Sequence, residues 1–265
     1  MHYESHWGLK APPFENVPDP QYYFPSSKHE EGLHRLIYGV EAKKGAIMLT
    51  GEIGCGKTLL SRALILHLAR EKYDVALIAN PAFEEAGFLA EVLYQFGIDA
   101  AGSKVQLLHT LNDHLLENHR KKINSVVVVD EAQAIGNDMV FEDLRMLLNF
   151  QMNDQFLLTL VLLGQPELRD RVLTIKQFAQ RIPIRFHLPP FSVDDTGAYI
   201  RFRLKAAGAS QEIFNKDAVH RIFDLTEGIP RNINSLCDMC LLIGYLDAAK
   251  VIDDSIVDRT AMDVR

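Results

Sequence analysis

A chain of 265 residues with 48% hydrophobic and 24% charged residues has ordinary globular proportions, which excludes a fibrous or disordered polymer. Its net charge of −7 argues against salt-driven nucleic-acid binding by the whole surface and leaves only local basic patches for that purpose. Three cysteines make no disulfide framework, no apolar run is long enough to span a bilayer, and M-H-Y-E-S-H-W lacks the basic start and apolar stretch of a signal peptide; these features predict a cytoplasmic protein, with no direct membrane insertion and at most a peripheral place at the inner membrane through a partner.

Residues 1–30 form an arm rich in Pro and aromatics, W-G-L-K-A-P-P-F followed by P-D-P-Q-Y-Y-F. Five prolines between Pro12 and Pro25 exclude a regular helix there, and so many rings are expected to pack on the core, either as plain packing or as a cover for an adenine ring. Leu33, Leu36, Ile37 and Val40 predict a helix over 29–43. A-I-M-L-T at 46–50 then predicts a buried parallel strand, followed by a Gly-rich turn and a helix from Lys57 to about Arg70. Further strands are expected at 74–80, 125–130, 156–163 and, more weakly, 182–188, with helices at 84–96, 103–120 and 138–151 between them. Strands alternating with helices mean βαβ units and a doubly wound parallel sheet. After Pro189-Pro190 the pattern becomes four helices, 192–207, 215–227, 230–247 and 253–263. The expected organisation is an arm (1–30), an α/β core (31–190) and a small all-helical lid (191–265).

Residues 51–58, G-E-I-G-C-G-K-T, fit the Walker A pattern G-x-x-x-x-G-K-[ST] between a predicted strand and a predicted helix. Gly51, Gly54 and Gly56 let the backbone curl so that the N–H groups from Gly51 through Glu52, Ile53, Gly54, Cys55 and Gly56 to Leu59 can face an anion. The following helix adds its N-terminal dipole. Lys57 offers a cation to the β- and γ-phosphates of ATP, and Thr58 a hydroxyl to Mg²⁺. V-V-V-V-D-E fits a Walker B strand, with Asp130 at its carboxyl end as a second Mg²⁺ contact and Glu131 as general base for the attacking water. Both carboxylates together favour hydrolysis over nucleotide sensing.

These motifs, with L-L-G-Q-P-E-L, Q-R-I and G-I-P-R-N-I-N, resemble those of the AAA+ ATPases of the general secretion pathway protein A (ExeA-like) family, and pilus-biogenesis and TniB-type transposition ATPases are similar. The resemblance covers nearly the whole chain and matches the ATPase part of the longer secretion members. It implies a P-loop NTPase (AAA+) core with a C-terminal helical lid, and an ATPase that drives assembly or remodelling of a bacterial envelope complex. A DNA-associated switch of the transposition target-selection type is the alternative. Gln165 would be the sensor that orients the hydrolytic water, Arg231 the lid arginine that reads the γ-phosphate, and Arg181 the finger reaching a neighbouring subunit's nucleotide in a homo-oligomeric ring, hexameric in one version. Position alone does not single out Arg181 from Arg169, Arg171 and Arg185. A protein partner in a membrane-associated complex is implied, and nucleic acid is not favoured.

Three features read as packing or solvated surface. C-D-M-C at 237–240 lies in an apolar helical run without a second ligand pair. Arg120-Lys121-Lys122 reads as a solvated helix end, and Arg201, Arg203 and Lys205 as one side of a lid helix.

Overall fold

A computed structural model describes residues 3–17, 22–69, 71–81, 87–152 and 155–263. The chain divides into two compact units: His29–Gly51 with Lys57–Leu188, and Met1–Lys28 with Glu52–Gly56 and Pro189–Arg265.

The first unit is built on a five-stranded parallel sheet. Its elements are α2 (Ser27–Glu41, counted from a short α1 at Tyr3–Trp7), β1 (Ala46–Gly51), α3 (Lys57–His67), β2 (Tyr73–Ile78), α4 (Gly87–Gln95), α5 (Lys104–Arg120), β3 (Asn124–Val129) and α6 (Asp138–Leu147). A two-residue hairpin, β4 (Gln151–Met152) and β5 (Gln155–Phe156), leads into β6 (Leu158–Gly164), α7 (Pro166–Thr174), α8 (Lys176–Ala179) and β7 (Ile184–Leu188). The strand order is β2-β3-β6-β1-β7. Every residue of β1 and β6 is buried, as a sheet covered on both faces requires, which is why those strands read as unbroken apolar runs. Val126–Val129 of β3 are fully buried, and Leu160, Leu162, Val127 and Val129 share a cluster with Phe88, Leu111 and Phe141 from the helices.

The sequence-based strands all fall within these bounds or a residue or two of them. The hairpin, α7 and α8 were not expected. Each is short, and α7 is mostly polar, with Pro166 at its first turn the one local signal for a helix start. The predicted start of the 84–96 helix and the end at Arg70 lie outside the described residues.

The second unit holds α9 (Val193–Ala206), α10 (Lys216–Thr226), α11 (Pro230–Leu246) and α12 (Asp254–Asp263), the four lid helices expected. Ser192 and Asn215 cap α9 and α10 through their side chains. The expectation that the arm packs on the 31–190 core needs correction: its described rings belong to the helical cluster. Trp7, Leu9 and Phe14 are buried there with Phe191, Tyr199, Leu241 and Ile252. The Trp7 indole N–H donates to the Leu241 carbonyl at 2.9 Å, and Phe14 meets Phe214 edge-on at 6.3 Å. Rings this large find a complete apolar setting between α9 and α11, and that favours plain packing for Trp7 and Phe14. Arm residues 18–21 lie outside the described set.

Arg203 is a second correction. It is 4% exposed rather than solvated. Its guanidinium donates to the Pro13 carbonyl and, at 2.9 Å, to the Glu15 carbonyl, and lies 4.4 Å from the Tyr22 ring centroid. A buried guanidinium needs such partners, and the arm's irregular backbone supplies carbonyls that no helix or strand consumes.

The arm is thus an integral part of the helical unit. Trp7→Ala is expected to destabilise the protein by about 3–5 kcal/mol, as for other buried large-to-small changes. Urea unfolding followed by circular dichroism reads this; an unchanged midpoint contradicts it.

Candidate active site

The register of the central strands sets the site. Thr50 pairs with Gly164 and Val129 pairs with Leu162, so β1, β6 and β3 end close to level. The three motifs that follow them, at Lys57-Thr58, Gln165 and Asp130-Glu131, leave the sheet at its carboxyl edge, where ligands bind in open α/β sheets. Gly51 ends β1 where a side chain cannot fit, since an added Cβ would lie 2.7 Å from the Leu188 carbonyl oxygen.

Lys57 is the first residue of α3 and only 5% exposed. Its ammonium donates to the Gly51 carbonyl at 2.8 Å. Asp130, 4% exposed at the end of β3, is the matching anion. Burial pushes its carboxyl above the usual range; the Thr58 hydroxyl, the Glu131 N–H and the Lys57 charge oppose that rise. The Glu131 N–H donates to Asp130 Oδ1 at 2.9 Å. A hydroxyl and a carboxylate held side by side form the hard oxygen set that Mg²⁺ takes, with phosphate oxygens and water completing the shell, so Thr58 and Asp130 fit that ion.

Glu131 stands in the left-handed region at φ 50°, a position that costs a non-glycine residue about 1 kcal/mol or more. Its N–H bonds Asp130, and its carbonyl accepts from the Ala134 N–H at 2.8 Å. Gln133, which was absent from the sequence-based candidates, reaches its carboxylate: Gln133 Nε2 donates to Glu131 Oε2 at 2.6 Å, while Gln133 Oε1 accepts from the Gln165 backbone N–H at 3.0 Å. The side chain of Gln165 caps nothing, although its residue occupies the N-cap position of α7. The sequence signal for Gln133 was the string D-E-A-Q itself, an amide two residues beyond a carboxylate.

In the helical unit the loop residues Gly54 and Gly56 have φ of 84° and 96°, conformations that glycine adopts without cost. The Cys55 N–H turns back to the Glu52 carbonyl at 3.2 Å. The Arg231 N–H lies 3.3 Å from the Gly54 carbonyl, and a Cβ at Gly54 would come within 2.7 Å of Arg231 Cβ. Arg231 is exposed at the start of α11, behind Pro230.

The four arginines raised for the finger differ in their commitments. Arg171 is tied to the Ile135 carbonyl and to Asp138 at 2.7 Å and stacks over Phe141; Arg185 donates to the Ala179 and Ile182 carbonyls. Arg181 is half-buried and spends one N–H on the Leu148 carbonyl at 3.0 Å, and exposed Arg169 pairs, among the described residues, with its neighbour Asp170. Cys237 and Cys240 lie buried in α11, where burial pushes both thiols up, Cys240 to about 12.

With the loop, the acidic pair and the sheet order established, comparison with known proteins places the chain. Residues 40–172 match the AAA domain family. The chain belongs to that family. Over 267 aligned residues it is 40% identical to general secretion pathway protein A of Aeromonas hydrophila, an alignment that covers 99% of the chain and 48% of the relative, so the chain spans about half the length of that protein. Among solved structures, Cdc6p from Pyrobaculum aerophilum superposes with a TM-score of 0.69 at 18% identity, covering 93% of this chain and 71% of that one. The Thermotoga maritima RuvB Holliday junction branch migration motor gives 0.59 at 21% identity, covering 91% and 69%. These likenesses establish the AAA+ P-loop NTPase fold.

Lys57 is the one buried cation of the loop. Lys57→Ala is therefore expected to weaken binding of Mg²⁺-ATP by about 10- to 100-fold or more, the range for lost charge-assisted hydrogen bonds. Calorimetric titration checks this, and wild-type affinity in the variant contradicts the assignment.

Proposed function

We propose that this AAA domain protein hydrolyses Mg²⁺-ATP and uses the energy to assemble or remodel a bacterial envelope complex of the secretion or pilus type. The observation that carries the chemistry is the side-by-side packing of Thr58 and Asp130 beside buried Lys57, with Glu131 next in the chain. In this reading the N–H groups of Gly51–Leu59 and Lys57 hold the phosphates, and Thr58 and Asp130 hold Mg²⁺. When bound, the ion neutralises charge on the β- and γ-phosphate oxygens. Glu131 takes a proton from a water molecule whose oxygen attacks the γ-phosphorus, and the bond to the bridging β–γ oxygen breaks. Gln165 orients that water with its side-chain amide, which makes no cap bond to α7. Arg231 reads the γ-phosphate from the lid.

The pathway rests on the 40% identity to general secretion pathway protein A across 99% of the chain. The proposed partner is a protein of that membrane-associated machine. Among the described residues no helix is long and apolar enough to cross a membrane.

Glu131→Gln separates chemistry from binding. It is expected to retain Mg²⁺-ATP and lose roughly 10²- to 10⁴-fold in turnover, the share of a general base. Normal turnover would remove Glu131 from that role.

The working form is proposed to be a head-to-tail ring in which Arg181 reaches the adjacent subunit's nucleotide. Turnover per chain should then rise with protein concentration. A mixture of Arg181→Ala and Lys57→Ala chains should regain activity that neither has alone, since one kind of interface pairs an intact loop with an intact finger. No regain from folded variants would move the finger role to Arg169 or Arg185, or to an arginine acting on its own subunit's nucleotide.

A further inference from the structure

The Glu131 carboxylate and the backbone at the end of β6 are joined by a single side chain, and that side chain is an amide. Gln133 gives its N–H to Glu131 Oε2 at 2.6 Å and receives the Gln165 N–H on Oε1 at 3.0 Å. Only one orientation of the amide satisfies both contacts, because a carboxylate accepts and a backbone N–H donates. Neither a carboxylate nor an ammonium can do both: Glu would present an acceptor to a carboxylate, and Lys a donor to an N–H. The fold makes room for this bridge. An added Cβ at Gly164 would lie 2.8 Å from Gln133 Oε1, so the residue before Gln165 must be glycine for the amide to sit there. The short 3₁₀ turn Ala132–Ala134, with buried Ala132 as its anchor, aims the side chain back across the two strand ends.

We propose that Gln133 is a positioning residue for ATP hydrolysis, one that fixes the Glu131 carboxylate by occupying Oε2 and locks it to the strand end that carries Gln165. This deepens the ATPase reading and rests on it. Among the described residues the amide takes Oε2 alone, and in this reading Oε1 is the oxygen that accepts the proton of the water. A carboxylate free to rotate would spread over several orientations, and holding it in one recovers part of the rate that general-base catalysis requires. The same bridge ties the base to the backbone from which the Gln165 side chain springs. The sequence pairing of D-E-A-Q with L-G-Q thus has a physical reason in one shared amide.

The test uses the full chain and four variants. Gln133→Met keeps the length and fill of the side chain without donor or acceptor, and Gln133→Glu keeps the acceptor for the Gln165 N–H while losing the donor to Glu131. Both are expected to lower kcat about tenfold, the value of a hydrogen bond to a charged group, and to leave the Kd for a non-hydrolysable ATP analogue within about twofold. Glu131→Gln and the Glu131→Gln/Gln133→Met double variant complete a cycle. Because Gln133 acts through Glu131, its substitution should add no further loss once the carboxylate is gone. Wild-type kcat in Gln133→Met overturns the proposal, since shape alone would then suffice. An equal loss in both backgrounds overturns it as well, because the effect would not pass through Glu131. If the wild-type chain turns over ATP and Glu131→Gln does not, the ATPase reading stands whichever way the Gln133 variants fall. No turnover by the wild type removes both.

Discussion

A carboxylate at the end of a strand of four buried valines cannot be left to water, and the rest of the site is arranged around that constraint. Asp130 is 4% exposed, and burial works against its charge. What offsets the cost is the Thr58 hydroxyl from the start of α3, the N–H of Glu131 and the nearby Lys57 charge. Those partners follow β1 and β3 in the chain, two strands that are not neighbours, since β6 lies between them. Parallel register brings their ends level. Glu131, whose N–H bonds Asp130 Oδ1, stands in the left-handed region, and its carbonyl accepts from the Ala134 N–H at 2.8 Å.

The sheet was legible in the sequence because parallel strands buried on both faces are written as apolar runs, and A-I-M-L-T, V-V-V-V and L-L-T-L-V-L-L all are. The lid helices were legible as four helical stretches after Pro189-Pro190 with no strand pattern between them. The phosphate loop is local chemistry at fixed spacing, so its residues needed no fold to be found. What was missed depends on distance in sequence. Arg203 looked like one of three cations on a helix face, and only the fold brings it to carbonyls 190 and 188 residues away. Trp7 shows the same limit, since its destination in α11 lies 234 residues on. Gln133 lies two residues past Glu131, yet its role is not local, because the N–H it accepts comes from the residue that follows β6. Helix α7 escaped because its nine residues set Leu168, Val172 and Leu173 among mostly polar neighbours, too few apolar positions to show a period.

The helical unit makes a different use of backbone. Its arm has little regular structure, and that irregularity is what lets Arg203 be buried. Carbonyls of Pro13 and Glu15, unused by any ladder, supply the acceptors. Arg203 also approaches Tyr199, whose hydroxyl donates to Asn234 Oδ1 at 2.9 Å, so α9, α11 and the arm share one buried polar network inside an apolar cluster. Fully partnered networks of this kind specify a single packing. Arg231, the proposed reader of the γ-phosphate, projects from α11, one of the helices that network holds.

The central claim is that this arrangement breaks ATP rather than only holding it. A single-turnover experiment tests it most directly: excess protein is mixed with γ-labelled ATP and Mg²⁺, and phosphate release is followed beside a sample with the ion chelated. The account predicts conversion of the bound nucleotide to ADP and phosphate with Mg²⁺ and none without it. Intact ATP recovered from the Mg²⁺-bound protein after prolonged incubation would contradict it.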